Sequence, residues 1–307
     1  MTHVAVLMGG MSAERPVSLN SGKACAAALR GAGFKVTEVD AGRDLAEVLN
    51  QLRPDVAFNV LHGKFGEDGC IPGLLEVLGI PYTHSGVLAS SMAMKKDIAK
   101  IIMAQAGVPV AHGVTVDRFA AAEAHALPPP YVAKPVSEGS SLGIVIVKEG
   151  RSHPPQELAR ADWPYGDVLL VEEFIPGREL TCAVMGSKDG PKALGVIEVL
   201  SPTTEFYDYE AKYSKGGSIH VLPADIKPNV YRKVQELSER AHAALGCRGV
   251  SRADFRYDEA SDRLICLEVN TQPGMTETSL VPELAAHAGL SFGELVTWLV
   301  EDASLER

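Results

Sequence analysis

Gly249-Val-Ser-Arg252-Ala-Asp254-Phe-Arg-Tyr257, a polar link from Asp258 to Asp262, and Arg263-Leu-Ile-Cys-Leu-Glu268-Val-Asn270-Thr-Gln-Pro-Gly274 form the stretch that decides the fold. Two β-rich runs around a short polar link predict an antiparallel hairpin. Side chains alternate faces along a strand, so Arg252 shares a face with Asp254, and Glu268 with Asn270. Pairing the strands would gather two carboxylates, an amide oxygen and a guanidinium on a small area. Such hard oxygen donors suit magnesium, which keeps water and substrate phosphates as its other ligands. An arginine beside it can stabilise a developing oxyanion or a transferring phosphoryl group. The alternative is a surface hairpin with scattered charges. Acids facing a Pro-Gly exit after an apolar strand weigh against it.

Outward from that hairpin, 307 residues are enough for two or three domains, each with its own core. An apolar content of 46% and a charged content of 22% are those of an ordinary globular protein. A net charge of −10 speaks against a nucleic-acid binder, which would carry a basic stripe. No apolar run approaches the roughly 20 residues that span a bilayer, so no membrane partner is expected. The chain starts in a strand, with no signal-peptide pattern. Cys25, Cys70, Cys182, Cys247 and Cys266 are odd in number and lack pair spacing, and they read as reduced thiols. These features together predict a cytoplasmic, enzyme-sized α/β protein.

Near the N-terminus, the apolar run Val4 to Met8 ends in Gly9-Gly10 and leads through Ser12-Ala-Glu14-Arg15-Pro16 into a helix. A strand, a glycine turn and a helix start expose backbone N–H groups to an anion. Runs from Lys35 to Asp40 and from Val56 to Leu61, with a helical pattern between them, continue a βαβ alternation. A glycine-rich loop, His62-Gly-Lys-Phe-Gly66-Glu-Asp-Gly69, then follows at the sheet edge where such folds bind ligands. The first domain should end near Tyr82 to Ser85. A helix with Lys95-Lys96-Asp97 comes next, its core stripe read as Ile98, Ile101 and Ile102 and its stop as Gly107.

Tyr131-Val-Ala-Lys134-Pro135 and Ile144 to Lys148 flank a Gly/Ser loop, Gly139-Ser140-Ser141-Leu-Gly143. Such a loop can fold over phosphates, with Lys134 reaching the same oxygens as a point charge. Val168 to Ile175 is a buried strand that turns polar at Glu172-Glu173. The long polar and aromatic segment from Ser201 to Ser218 suits an active-site cover. Ser291-Phe-Gly-Glu294 is a capping box opening the last amphipathic helix.

Arg252-x-Asp254 followed by Leu267-Glu268-x-Asn270-x-x-Pro273-Gly274 resembles the magnesium site of the ATP-grasp superfamily. Asn270-Thr-Gln-Pro-Gly-Met-Thr-Glu-Thr-Ser279-Leu280-Val-Pro282 is similar to the D-alanine–D-alanine ligases, and the resemblance extends over nearly the whole chain. It implies an α/β, three-domain ATP-grasp fold. Residues 1–85 would form an N-terminal parallel-sheet domain, with antiparallel-sheet α+β domains at 86–172 and 173–307.

The resemblance also implies site residues. Glu14 would hold the ammonium of the first D-alanine, joined through Ser140 to Tyr213. His62 would lie at the substrate and phosphate pocket, and Ser279 and Leu280 at the second D-alanine. Lys96, Lys134, Tyr207 and Lys212 would contact ATP. The segment Glu172-Glu173-Phe174-Ile175 would meet adenine through its backbone, and Glu172 and Glu179 would meet chiefly the ribose. Asp254, Glu268 and Asn270 would hold two magnesium ions, with manganese as a substitute. Arg252 and the backbone at Gly274 would stabilise the tetrahedral oxyanion.

The implied reaction joins two D-alanines at the expense of ATP, within a homodimer. A D-alanyl-D-lactate or D-alanyl-D-serine ligase is the near alternative, and Lys212-Tyr213 speaks against the lactate version. A non-catalytic nucleotide-binding module is the more distant one.

Overall fold

Apolar strands and amphipathic helices alternate through the first 85 residues, as a parallel sheet requires. The computed structural model describes residues 1–139, 142–201, 217–276 and 278–306. Ser140, Tyr207, Lys212 and Tyr213 therefore lie outside the described residues. Among the described residues the strands form three sheets.

The first sheet is parallel. β1 (His3–Met8) lies between β2 (Lys35–Asp40) and β3 (Val56–Asn59). All six residues of β1 and all four of β3 are buried, which fits the continuous apolar runs of a covered parallel sheet. Helix α1 (Arg15–Gly31) starts with Pro16 in its first turn. Helices α2 (Leu45–Leu52) and α3 (Cys70–Leu78) cover the sheet through Leu45, Leu49 and Leu75.

The second sheet is antiparallel, in the order β4 (Gly113–Asp117), β7 (Val168–Glu173), β5 (Tyr131–Pro135), β6 (Val145–Val147). Strands β5 and β6 are the arms expected on either side of the Gly/Ser loop. Helix α6 (Arg118–Glu123) is capped by the Asp117 carboxylate, which accepts from the Phe119 and Ala120 N–H groups.

The third sheet runs β10 (Ile219–Val221), β9 (Lys192–Leu200), β8 (Arg178–Met185), β11 (Val250–Asp258), β12 (Arg263–Asn270). The hairpin predicted from sequence is β11–β12. Arg252 stands opposite Asn270, and Asp254 opposite Glu268. Cross-strand partners share a face, so all four side chains point the same way. A register shift follows directly after Asp254.

Helices α4 (Val87–Met94) and α5 (Lys96–Gln105) pack with α7 (Pro228–Ala244) against the third sheet, sharing one core through Ala93, Ala99, Met103, Val234 and Leu237. The expected core stripe of α5 needs correction. Ile98 and Ile101 are exposed, at 39% and 60%. Ile102 packs against the core as expected, but the buried positions are Ala99, Lys100 and Met103. An apolar period alone misplaces this helix, because a lysine with an ionic partner occupies its buried side. Helix α8 (Leu280–His287) packs against β8 and β9 of the third sheet, and α9 (Phe292–Asp302) returns to the first sheet. There Leu295, Val296, Leu299 and Val300 share a core with Val4, Val6, Leu29 and Phe58.

Candidate active site

The N-terminal side of the site is built at the ends of β1 and β3. Glu14 precedes α1 and is only 5% exposed. The Ser12 hydroxyl donates to the His62 carbonyl at 2.7 Å, tying the turn before α1 to the glycine loop after β3. Gly63 has φ +68, and a Cβ there would come within 2.6 Å of Glu14 Oε2. The loop thus uses glycine to let the Glu14 carboxylate lie against its backbone. A Cβ on Gly139, at the root of the Gly/Ser loop, would meet the same oxygen at 3.2 Å. Glu14, the His62 loop and the start of the Gly/Ser loop therefore converge.

His62 is buried and its Nδ1 lies 3.0 Å from Glu67 Oε1. Burial opposes charging the ring, but Glu67 and then Glu14 outweigh it and raise the imidazole above its ordinary value. Its Nε2 has no partner among the described residues. A protonated imidazole here would present a donor beside the Glu14 carboxylate.

The opposite wall comes from the hairpin and the second sheet. Lys96, Lys134, Glu138, Glu179, Asp254 and Glu268 line one cleft. Arg252 holds Asp254 through two parallel hydrogen bonds, Nε to Oδ1 at 2.9 Å and Nη2 to Oδ2 at 2.7 Å. Asn270 Nδ2 donates to Asp254 Oδ2 at 3.1 Å, and the Thr181 hydroxyl donates to Asp254 Oδ1. Lys96 Nζ lies 3.1 Å from Glu268 Oε2 and donates to the Glu138 carbonyl at 2.7 Å. Asp254, Glu268 and Asn270 thus share one face, with two carboxylates facing the cleft already balanced by basic groups. This is a fitting donor set for a hard cation that keeps water and phosphate ligands. Among the described residues no three His, Cys, Asp or Glu side chains cluster for a metal, so the third donor would have to be the amide oxygen of Asn270.

The predicted nucleotide residues fall into two groups. Lys96, Lys134 and Glu179 line the cleft. Glu179 also meets Arg256 Nη1 at 3.3 Å. Glu172 lies deeper, 3% exposed, with Lys100 Nζ 2.6 Å from Oε1 and Lys134 Nζ 2.6 Å from Oε2. Burial works to raise the Glu172 carboxyl, yet the two ammonium groups prevail and hold it below its usual range. Burial, followed by repulsion from Lys134, lowers Lys100. Glu173 pairs at the surface with Arg263 at 2.7 Å. The Phe174 N–H donates to the Pro130 carbonyl, and the Ile175 carbonyl accepts from Arg256 Nε.

Beyond the hairpin, a Cβ on Gly274 would stand 3.2 Å from Ser279 Oγ, and that hydroxyl lies 2.7 Å from Thr276 Oγ1. Leu280, the first residue of α8, is 8% exposed and belongs to the core that reaches α1. Gln272 joins the two walls: Asn59 Nδ2 donates to its Oε1 at 2.8 Å, and its Nε2 donates to the Leu61 carbonyl. Sequence reading missed Lys100, Glu67, Asn59 and Gln272. Glu67 and Gln272 stood inside quoted motifs and could have been found there. Lys100 carried no local signal.

Residues 102–301 match the family model described as D-ala D-ala ligase C-terminus, and residues 40–85 match D-ala D-ala ligase N-terminus. The chain is 67% identical to a D-alanine–D-alanine ligase of Methylobacterium radiotolerans and 68% identical to one of Xanthobacter autotrophicus. Each alignment covers 99% of both chains. It also superposes on the crystal structure of D-alanine–D-alanine ligase from Bacillus anthracis complexed with ATP. The TM-score is 0.80 at 26% identity, covering 98% of this chain and 97% of that one. The fold is ATP-grasp, and the chain belongs to the D-alanine–D-alanine ligase family.

Proposed function

We propose that the protein condenses two D-alanines into D-alanyl-D-alanine, converting ATP to ADP and phosphate, for peptidoglycan precursor synthesis. The observation that carries this reading is the convergence of two half-sites. One is an ammonium-seeking half at Glu14 beside His62. The other is a phosphate-seeking half at Lys96 and Lys134, beside the acids Asp254 and Glu268.

A carboxylate is a poor electrophile, so it is first phosphorylated by ATP to D-alanyl phosphate. Phosphoryl transfer depends mainly on positioning and charge neutralisation. Glu14 orients the first D-alanine through its ammonium, joined to Ser140 and Tyr213 as the family motif implies. Lys96, Lys134 and Lys212 neutralise phosphate oxygens, and Glu179 faces the ribose. Asp254, Glu268 and Asn270 would hold two magnesium ions, or manganese in their place, supplying further positive charge beside the nucleotide's phosphates. The second D-alanine, against Ser279 and Leu280, then attacks the acyl carbon with its amine, and phosphate leaves. Arg252 and the backbone N–H near Gly274 stabilise the oxyanion of that tetrahedral species. The Gly/Ser loop and the 207–216 segment would exclude the water that hydrolyses an acyl phosphate.

The protein would act in the cytoplasm as a homodimer, which light scattering on the purified chain tests. The reaction itself is tested by ADP release with D-alanine, L-alanine or D-lactate as acceptor. ADP production that requires D-alanine and yields a product of dipeptide mass is expected. Release indifferent to D-alanine, or a depsipeptide product with D-lactate, would defeat the reading.

A further inference from the structure

Buried lysines are rare, and a helix face packed on a sheet is ordinarily apolar. Helix α5 follows that rule at Ala99 and Met103 but not at Lys100, which is 6% exposed between them. Around the cleft, Asp254 has Arg252, Glu268 has Lys96 and Glu179 has Arg256 as a basic partner. Glu172 has two ammonium groups on its carboxylate, one at each oxygen and both at 2.6 Å. Of those two, Lys134 lines the cleft and Lys100 stands behind it. With both lysines protonated, two cations meet one buried anion among the described residues, and an anion entering the cleft would offset the excess positive charge.

We propose that Lys100 is a positioning residue for the nucleotide. By taking one oxygen of Glu172, it shares that carboxylate's single negative charge with Lys134, so that the cluster presents excess positive charge towards a phosphate oxygen. The proposal rests on the reading that Lys134 meets the phosphates of ATP. Without Lys100, Glu172 and Lys134 would form a closed, neutral pair, and the cleft would lose the charge that a phosphate answers. A purely space-filling role is disfavoured, because methionine would fill the same position without desolvating a charge.

Calorimetric titration of the full-length protein with ADP and with adenosine, both in magnesium buffer, separates the phosphate contribution from that of the base and sugar. Wild type should bind ADP far more tightly than adenosine. Lys100→Met should weaken ADP by roughly tenfold or more while adenosine changes by less than about threefold. The double variant Lys100→Met/Glu172→Gln restores a single unpaired cation at Lys134 and should bring the ADP-to-adenosine ratio back to within about threefold of wild type. A folded Lys100→Met protein that keeps the wild-type ratio, or a double variant that fails to recover it, overturns the proposal alone. Wild type binding ADP no better than adenosine overturns the Lys134 reading and the proposal with it. If Lys100→Met does not fold, Glu172→Gln decides: releasing both lysines should raise the ratio, and an unchanged or lower one refutes the idea.

Discussion

Glu14 combines a carboxylate with a nearly closed surrounding, made by Gly63 on one side and Gly139 on the other. A charged partner of a substrate ammonium in such a place contributes roughly 2–5 kcal/mol when its removal leaves the other charge unpaired. Glu14→Gln should therefore lower kcat/KM for D-alanine by at least about thirtyfold. Its KM for ATP should stay within about threefold, as steady-state kinetics varying each substrate would reveal. A different constraint rules Gly177, whose φ is +98 and whose added Cβ would press into the Tyr257 carbonyl. This glycine lets the entry to β8 lie flat on β11. Gly177→Ala should cost more than about 2 kcal/mol in denaturant unfolding, since strain and a backbone clash add. Legibility at this scale was uneven. Arg252, Asp254, Glu268 and Asn270 were readable because strand alternation fixes faces without further knowledge. Lys100 was not, because nothing in a lysine's local sequence tells that a carboxylate seventy-two positions on will meet it inside.

Elements whose sequence states both their period and their ends were the ones recovered in full. Helix α9 begins at Ser291, whose hydroxyl accepts from the Glu294 N–H while the Glu294 carboxylate accepts from the Ser291 N–H, as the capping-box spacing demanded. Helix α5 gave three isoleucines that suggested a core stripe, of which only Ile102 packs inward, beside the buried Ala99, Lys100 and Met103. Small and charged residues at the buried positions erase the very contrast that a periodicity reading needs. Helix α7 carries a testable group of its own. Burial pushes His242 down to about 4 from the ordinary 6.5, and its Nδ1 lies 2.7 Å from the Ser251 hydroxyl. The unfolded chain takes up a proton near 6.5 and the folded chain only near 4. This part of the stability is thus complete above the upper value and is lost as pH falls towards the lower one. The gap corresponds to about 3 kcal/mol. His242→Gln should flatten the acid limb of a stability-versus-pH curve measured by denaturant unfolding, and an unaltered limb would rule the assignment out.

At the scale of the molecule, two walls contributed by distant parts of the chain must stand in one register for the reaction to occur. Asn59, at the end of β3, and Gln272, just after β12, are buried and bonded to each other across 213 positions. Asn59→Ala would leave the Gln272 amide oxygen short of a partner, at a cost of about 1–3 kcal/mol. Asn59→Ala and Gln272→Ala together should cost less than the sum of the separate changes. A double-mutant cycle measured by unfolding tests this, and simple additivity would argue that the two side chains do not cooperate. Sequence could suggest both walls through their motifs, but not the fastener between them, since pairing at that separation leaves no local trace.

The last helix has a consequence for how the protein is made. One face of the first sheet is finished by Leu295, Val296 and Leu299. As the ribosome extrudes the chain from its amino end, that sheet must wait with apolar surface uncovered until α9 has emerged. A premature stop shortly before α9 would therefore harm the region made first, and nascent chains of that length should be preferred clients of holding chaperones.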